Sequence, residues 1–351
     1  MKNGSMITLA RELNGITQTV LSSNIPNLTQ STLSQLELGL LDVNSEIWKS
    51  IADYFNLPES FFSLQRPRRP VASFYYRRRQ IMPKKQLSTL EATVDLLRIT
   101  VDKLLDIVDI PEFCLPNIDI AEQVDKKNAS EIAARKIRGL LKINKGPIIN
   151  IIEILEKNGI IVYFLKHTHE KFDGITMYSD KGQPIIFIND GMPNDRKRFT
   201  LAHELGHLIL HLNSFQDIDR DEEMEANNFA SEFLMPGIEI AGMLNYLNLN
   251  KIASLKTYWH VSKSALIRRA YELGIIERNK YSYFNIELSR RGEKKYEKGE
   301  VFIDSPKIFR QIIQMLKADL HYGSEEIRNL LCLPKNFYES HIESGKLHIV
   351  Y

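Results

Sequence analysis

The run Phe199-Thr200-Leu201-Ala202-His203-Glu204-Leu205-Gly206-His207-Leu208-Ile209-Leu210-His211 constrains this chain more than any other segment. It sets H-E-x-x-H inside an apolar pattern of helical period. Residues four apart on a helix stand one turn above each other on the same face, so His203 and His207 aim two imidazoles at one cation. Glu204 falls beside that cation, placed to take a proton from a water held there. Two His ligands, an adjacent Glu base and an open coordination position are the arrangement of zinc peptidases. Leu201, Leu205, Leu208 and Ile209 are expected to pack the buried side of the helix. Thr200 reads as a residue near the N-cap, and Gly206 as room for another segment to approach closely.

Zinc needs a third protein ligand. His211 is the nearest in sequence, but a straight helix carries it a full turn too far along the axis. A later carboxylate serves better, and the segment from Asp219 to Pro236 supplies several. Ala226, Phe229, Ala230, Phe233 and Leu234 form an apolar stripe at helical spacing, with Pro236 just beyond the helix end. Glu225 borders the buried side, where a carboxylate is costly unless paired or bound to metal. Glu222 lies one turn earlier and is the second choice, while Glu223 and Glu232 read as solvated.

Linked motifs extend the pattern. Asp173-Gly174, Pro184-Ile185-Ile186-Phe187-Ile188-Asn189, Arg198 to His207, Glu225-Ala226-Asn227-Asn228-Phe229-Ala230 and Leu234-Met235-Pro236 follow in order. Residues from about 173 to 236 thereby resemble the ImmA/IrrE metallopeptidase family. The resemblance implies Zn2+ held by His203, His207 and Glu225, with Glu204 as the catalytic base. It also implies action on repressors in phage, mobile-element or stress circuits.

The first 63 residues read as a bundle of short helices: Ile7 to Leu13, Thr17 to Ser22, Leu28 to Gly39 and Glu46 to Phe55, followed by Leu57 to Phe62. They resemble the Xre/Cro helix-turn-helix, in which the helix beginning near Gln30 enters the major groove. Thr29, Gln30, Ser31, Thr32, Ser34 and Gln35 are then the expected DNA contacts, Gln pairing with adenine and Ser or Thr reaching bases or phosphates. This module is poor in positive charge, with Lys2, Arg11 and Lys49 against Glu12, Glu37, Asp42, Glu46, Asp53 and Glu59. Phosphate neutralisation supplies much of DNA affinity. The acid-free stretch Arg66-Pro67-Arg68-Arg69-Pro70, Arg77-Arg78-Arg79, Lys84 and Lys85 could add it.

Further along, Thr89 to Ile107, Ile118 to Leu141 and Ile148 to Lys157 read as helical. Gly159 to Leu165, Gly174 to Tyr178 and Pro184 to Asn189 read as strands, with Asp180-Lys181-Gly182-Gln183 as a turn. Ile185 to Asn189 is expected at a sheet edge, where an extended substrate could add a strand. His167 and His169 sit in a polar loop and are not expected to be ligands. Ile252 to Leu273 gives two helices, Arg290 to Lys295 a solvated loop, and Ile308 to Leu316 and Glu325 to Leu331 further helices. The oxyanion partner stays open between Tyr178, His211 and others.

The expected fold is mainly α with a small β-sheet: a helical DNA-binding bundle (1–65), a basic linker and connecting helix (66–115), a zincin-like metallopeptidase domain (116–296) and a helical C-terminal region (297–351). The two cysteines give no disulfide framework, and no apolar run reaches membrane-spanning length. A cytoplasmic protein with no membrane partner is expected. Net charge of +2 excludes nothing by itself. The expected activity is zinc-dependent endopeptidase action on a protein partner, joined to DNA binding and transcription regulation. The alternative is a regulator or antitoxin-like protein whose peptidase-like domain is a sensor or binding scaffold with little hydrolysis.

Overall fold

The computed structural model describes residues 2–65, 82–120, 122–143, 145–166, 168–212, 221–294 and 296–343. The basic run from Arg66 to Arg79 and His167 lie outside the described residues. The chain divides into two compact units: 1–110 with 179–182 and 308–351, and 111–178 with 183–307. The helix expected as a connector and the C-terminal helices therefore cluster with the N-terminal bundle.

In the first unit, α1 (Ser5–Leu13), α2 (Gln18–Asn24), α3 (Gln30–Glu37), α4 (Ser45–Phe55) and α5 (Lys84–Leu104) follow the apolar periodicity. Side-chain caps start three of them. Thr17 accepts from the Val20 N–H, Thr29 from Thr32 and Asn44 from Ile47, satisfying donors that a helix start leaves orphaned. Met6, Ile7, Leu33, Leu36, Ile51, Phe61 and Phe62 form the bundle core, each at most 2% exposed. A polar chain crosses α1, α2 and α3. Arg11 Nε donates to Glu37 Oε1 at 2.8 Å, Gln18 Nε2 to Glu37 Oε2 at 2.9 Å, and Gln30 Nε2 to Gln18 Oε1 at 3.0 Å. Thr89 of α5 donates to the Glu12 carbonyl, tying α5 to the end of α1. The turn 179–182 belongs to this unit, where Asp102 accepts the N–H groups of Asp180 and Lys181 at 3.0 and 3.1 Å.

The second unit holds α6 (Lys126–Leu140), α7 (Ile151–Lys157), β1 (Ile161–Leu165), β2 (Gly174–Tyr178), β3 (Pro184–Asn189), α8 (Asn194–Leu210), α9 (Glu222–Leu234), α10 (Gly237–Leu244), α11 (Leu249–Trp259), α12 (Lys263–Glu272) and α13 (Arg278–Arg290). The sheet order is β1-β3-β2. β3 runs parallel to β1 and antiparallel to β2, with Ile186 opposite Val162 and Thr176. All six β3 residues are buried, as in a strand covered on both faces. β3 is thus the central strand, and the expectation of an edge at Ile185 to Asn189 is overturned. Its continuous apolar run was the signature of a buried strand.

Helix α8 begins six residues before Thr200, which sits buried in mid-helix rather than near its cap. Arg198 holds its early turns. Fully buried, its Nε donates to the His260 carbonyl at 3.0 Å and its Nη1 to the Ile149 carbonyl at 2.9 Å. Burial pushes this guanidinium down to about 10, with Asp304 opposing. Gly206 allows α8 and α9 to touch: a Cβ there would stand 3.2 Å from the Ala226 Cα. Two residues read as solvated are buried instead. Glu232 pairs with Arg135 and Arg269 and accepts the Gly237 N–H, and Glu293 pairs with Lys263. No helix among the described residues is long and apolar enough to cross a membrane.

Candidate metal centre

The H-E-x-x-H spacing folds as its period requires. His203 and His207 stand on one face of α8 with their Nε2 atoms 3.0 Å apart. From the first turn of α9, Glu223 brings Oε2 to 3.6 Å from His203 Nε2 and Oε1 to 3.6 Å from His207 Nε2. Taking one ligand atom from each residue, the three atoms lie within 4.8 Å of one another. An ion at zinc–nitrogen distance from tetrahedral ligands separates them by about 3.3 Å. The observed separations bracket that value, and two imidazoles with one carboxylate are a usual zinc donor set. The residues therefore fit a divalent metal.

Glu225 is outside this trio. It is 1% exposed, and its Oε2 lies 3.0 Å from His211 Nε2. A carboxylate buried here needs a partner, and the His211 imidazole supplies one. Glu223, rather than Glu225, lies with the two histidines here; α9 starts at Glu222, with Asp221 accepting the Met224 N–H. Glu223 shares that first turn with Glu222 and Glu225, at the positive end of the helix dipole, where carboxylates are favoured. Glu222 is half-buried and also outside the trio.

Glu204 is 1% exposed, and Thr176 of β2 donates its hydroxyl hydrogen toward it, 2.9 Å from Oε2. Asn227 places Oδ1 3.1 Å from His203 Nδ1, on the ring edge away from the trio. Sequence reasoning assigned neither residue a role. Their signals were an aliphatic hydroxyl in an otherwise apolar stretch of strand and an amide directly after the Glu-Ala pair. Tyr178, one of the open oxyanion choices, closes β2 half-buried. His169 accepts the Lys171 N–H at its own Nδ1, within its loop.

In the first unit, Thr29, Gln30, Ser31 and Gln35 are exposed on α3, while Thr32 and Ser34 are half-buried. Thr29 is also the N-cap, and Gln30 is tied to Gln18.

Residues 155–271 match the Peptidase_M78 family model, described as an IrrE N-terminal-like domain. The matched stretch runs from the end of α7 into α12 and contains every residue of the trio. Metallopeptidase ImmA of Bacillus subtilis (strain 168) is 28% identical over 144 residues, 38% of this chain and 82% of that protein. The likeness and the His-His-Glu geometry agree on a metallopeptidase-like domain in the second unit.

Proposed function

We propose that the chain is a zinc-dependent endopeptidase that cleaves a protein partner, such as a repressor of its own circuit, and that its N-terminal bundle binds DNA. The observation that carries the reading is the convergence of His203 Nε2, His207 Nε2 and the Glu223 carboxylate beside Glu204. Zinc bound by these three would supply the charge that acidifies a water molecule and polarises a peptide carbonyl. Glu204 accepts the water proton and passes it to the leaving amine. Thr176 donates to one oxygen of that carboxylate and so helps hold its orientation. Burial of Glu204 keeps bulk water from competing for it.

Purified protein is expected to hold about one zinc per chain, as a three-ligand catalytic site does. His203→Ala and His207→Ala should each lose most of it. Glu204→Gln should keep metal and fold while abolishing cleavage of proteins encoded beside it and co-expressed with it. Full metal occupancy in either His variant, or parental cleavage by Glu204→Gln, would refute the assignment.

A further inference from the structure

A buried carboxylate, Glu225, stands behind one of the metal-facing imidazoles with a second imidazole between them. His207 Nδ1 lies 2.9 Å from His211 Nδ1, and His211 Nε2 lies 3.0 Å from Glu225 Oε2. The side chains of His207, His211 and Glu225 are 2%, 3% and 1% exposed. His211 is the C-cap of α8, where the chain leaves helical geometry at φ −125°. That departure turns its ring back to meet both partners. We propose that Glu225 and His211 form a positioning relay that fixes the tautomer and orientation of His207 for metal binding. The proposal rests on His203, His207 and Glu223 being the metal-holding trio.

Proton counting gives the direction of the relay. His207 Nε2 faces His203 and Glu223, so it must offer a lone pair to a metal. A neutral imidazole then carries its hydrogen on Nδ1. Only one hydrogen fits between two nitrogens 2.9 Å apart, so His207 donates and His211 Nδ1 accepts. His211 must then carry its own hydrogen on Nε2, aimed at Glu225. The opposite polarity would set a His211 lone pair against a carboxylate and a His207 hydrogen against the metal. Glu225 therefore selects the metal-binding tautomer of a ring it does not touch. Such outer partners orient a ligand and raise its basicity, and their loss typically costs about 10- to 100-fold in metal affinity. His203 has a different outer partner, the Asn227 amide oxygen, so the relay acts on one ligand alone.

The test uses the full-length chain and Co2+ or Zn2+ as the probe. Affinity is read by chelator competition, the metal's surroundings by the Co2+ visible bands, and the His207 tautomer by nitrogen shifts of labelled histidine in metal-free protein. His211→Phe and Glu225→Ala should weaken binding on the order of 10- to 100-fold, alter the Co2+ bands and shift the tautomer balance. Glu225→Gln keeps an acceptor oxygen at similar volume and should recover part of the affinity, also serving should Glu225→Ala fail to fold. Glu223→Ala should lose more affinity than any of these. Parental affinity and unchanged bands in folded His211→Phe and Glu225→Gln would overturn the relay. A Glu225→Ala loss as deep as that of His207→Ala, with Glu223→Ala near parental, would make Glu225 a direct ligand instead. Absence of metal from the parent chain would refute the metal-centre reading itself, an outcome separate from both.

Discussion

At the scale of single residues, charge placement decides which carboxylate does what. Burial argued for Glu225 as the functional acid, and the structure does bury it, yet its partner is His211. No sequence spacing links position 211 to position 225, because the two lie on different helices and their relation is tertiary. The His203–His207 pair was legible because both lie on one helix, where period alone sets direction. Thr176 was not legible for the same reason that the Glu225–His211 contact was not: it acts across two elements. A hydrogen bond to a charged group is worth about 1.5–3 kcal/mol. Thr176→Val keeps shape and removes the donor to Glu204. Cleavage should slow on the order of ten-fold with zinc content unchanged, and Thr176→Ser should restore most of the rate. Equal rates in parent, Val and Ser proteins would show that Thr176 does not hold the base.

At the scale of elements, apolar period located α1, α3, α5, α8 and α9 and all three strands. It did not by itself order the strands, although the unbroken apolar run of β3 is what a strand buried on both faces carries. Neither α10 nor α13 was anticipated. Helix α13 buries only Phe284 and Leu288, too narrow a stripe to stand out in sequence. The α8–α9 packing is what brings His207 and Glu223 together, and Gly206 sets its closeness. Ala at this position gains about 1 kcal/mol of helix propensity over Gly, against a Cβ 3.2 Å from both the Ala226 Cα and the Phe229 Cδ1. Gly206→Ala should therefore change stability little. Gly206→Leu has no such balance, because the opposing atoms include backbone. Overpacking of this kind costs typically about 1–3 kcal/mol, and separating α8 from α9 should also cut metal affinity. Denaturant unfolding with metal titration checks both. A Leu variant matching the parent in both would show that the helices can part without consequence.

At the scale of the whole molecule, the chain pairs a metallopeptidase-like unit with a unit built on the N-terminal bundle. Sequence marked the bundle and the H-E-x-x-H region but divided the rest by motif. The structure instead groups α5, the turn 179–182 and the C-terminal helices with the bundle. The bundle's electrostatics sharpen the DNA-binding proposal. Arg11 is engaged by Glu37, whose hydrogen bond and charge hold the guanidinium above its ordinary value, and Lys2 pairs with Glu59 at 2.8 Å. Two of the module's few cations are thus held within the protein, so its own phosphate attraction is small. The proposed base-reading groups on α3, Gln30 and Gln35, are exposed. The full chain is expected to bind its own promoter with a salt dependence supplied mainly from the 66–79 run. Replacing Arg77, Arg78 and Arg79 together should weaken binding to all sequences alike and reduce the salt slope by about one for each phosphate left without its arginine. Gln30→Ala with Gln35→Ala should leave that slope intact and reduce discrimination between operator and unrelated DNA, each bidentate pair removed being worth about 1–3 kcal/mol. Binding measured across a salt series on both DNAs separates the two effects. No salt-sensitive binding to either DNA would reassign the bundle to protein docking, with the metal centre untouched because the two arguments share no residue.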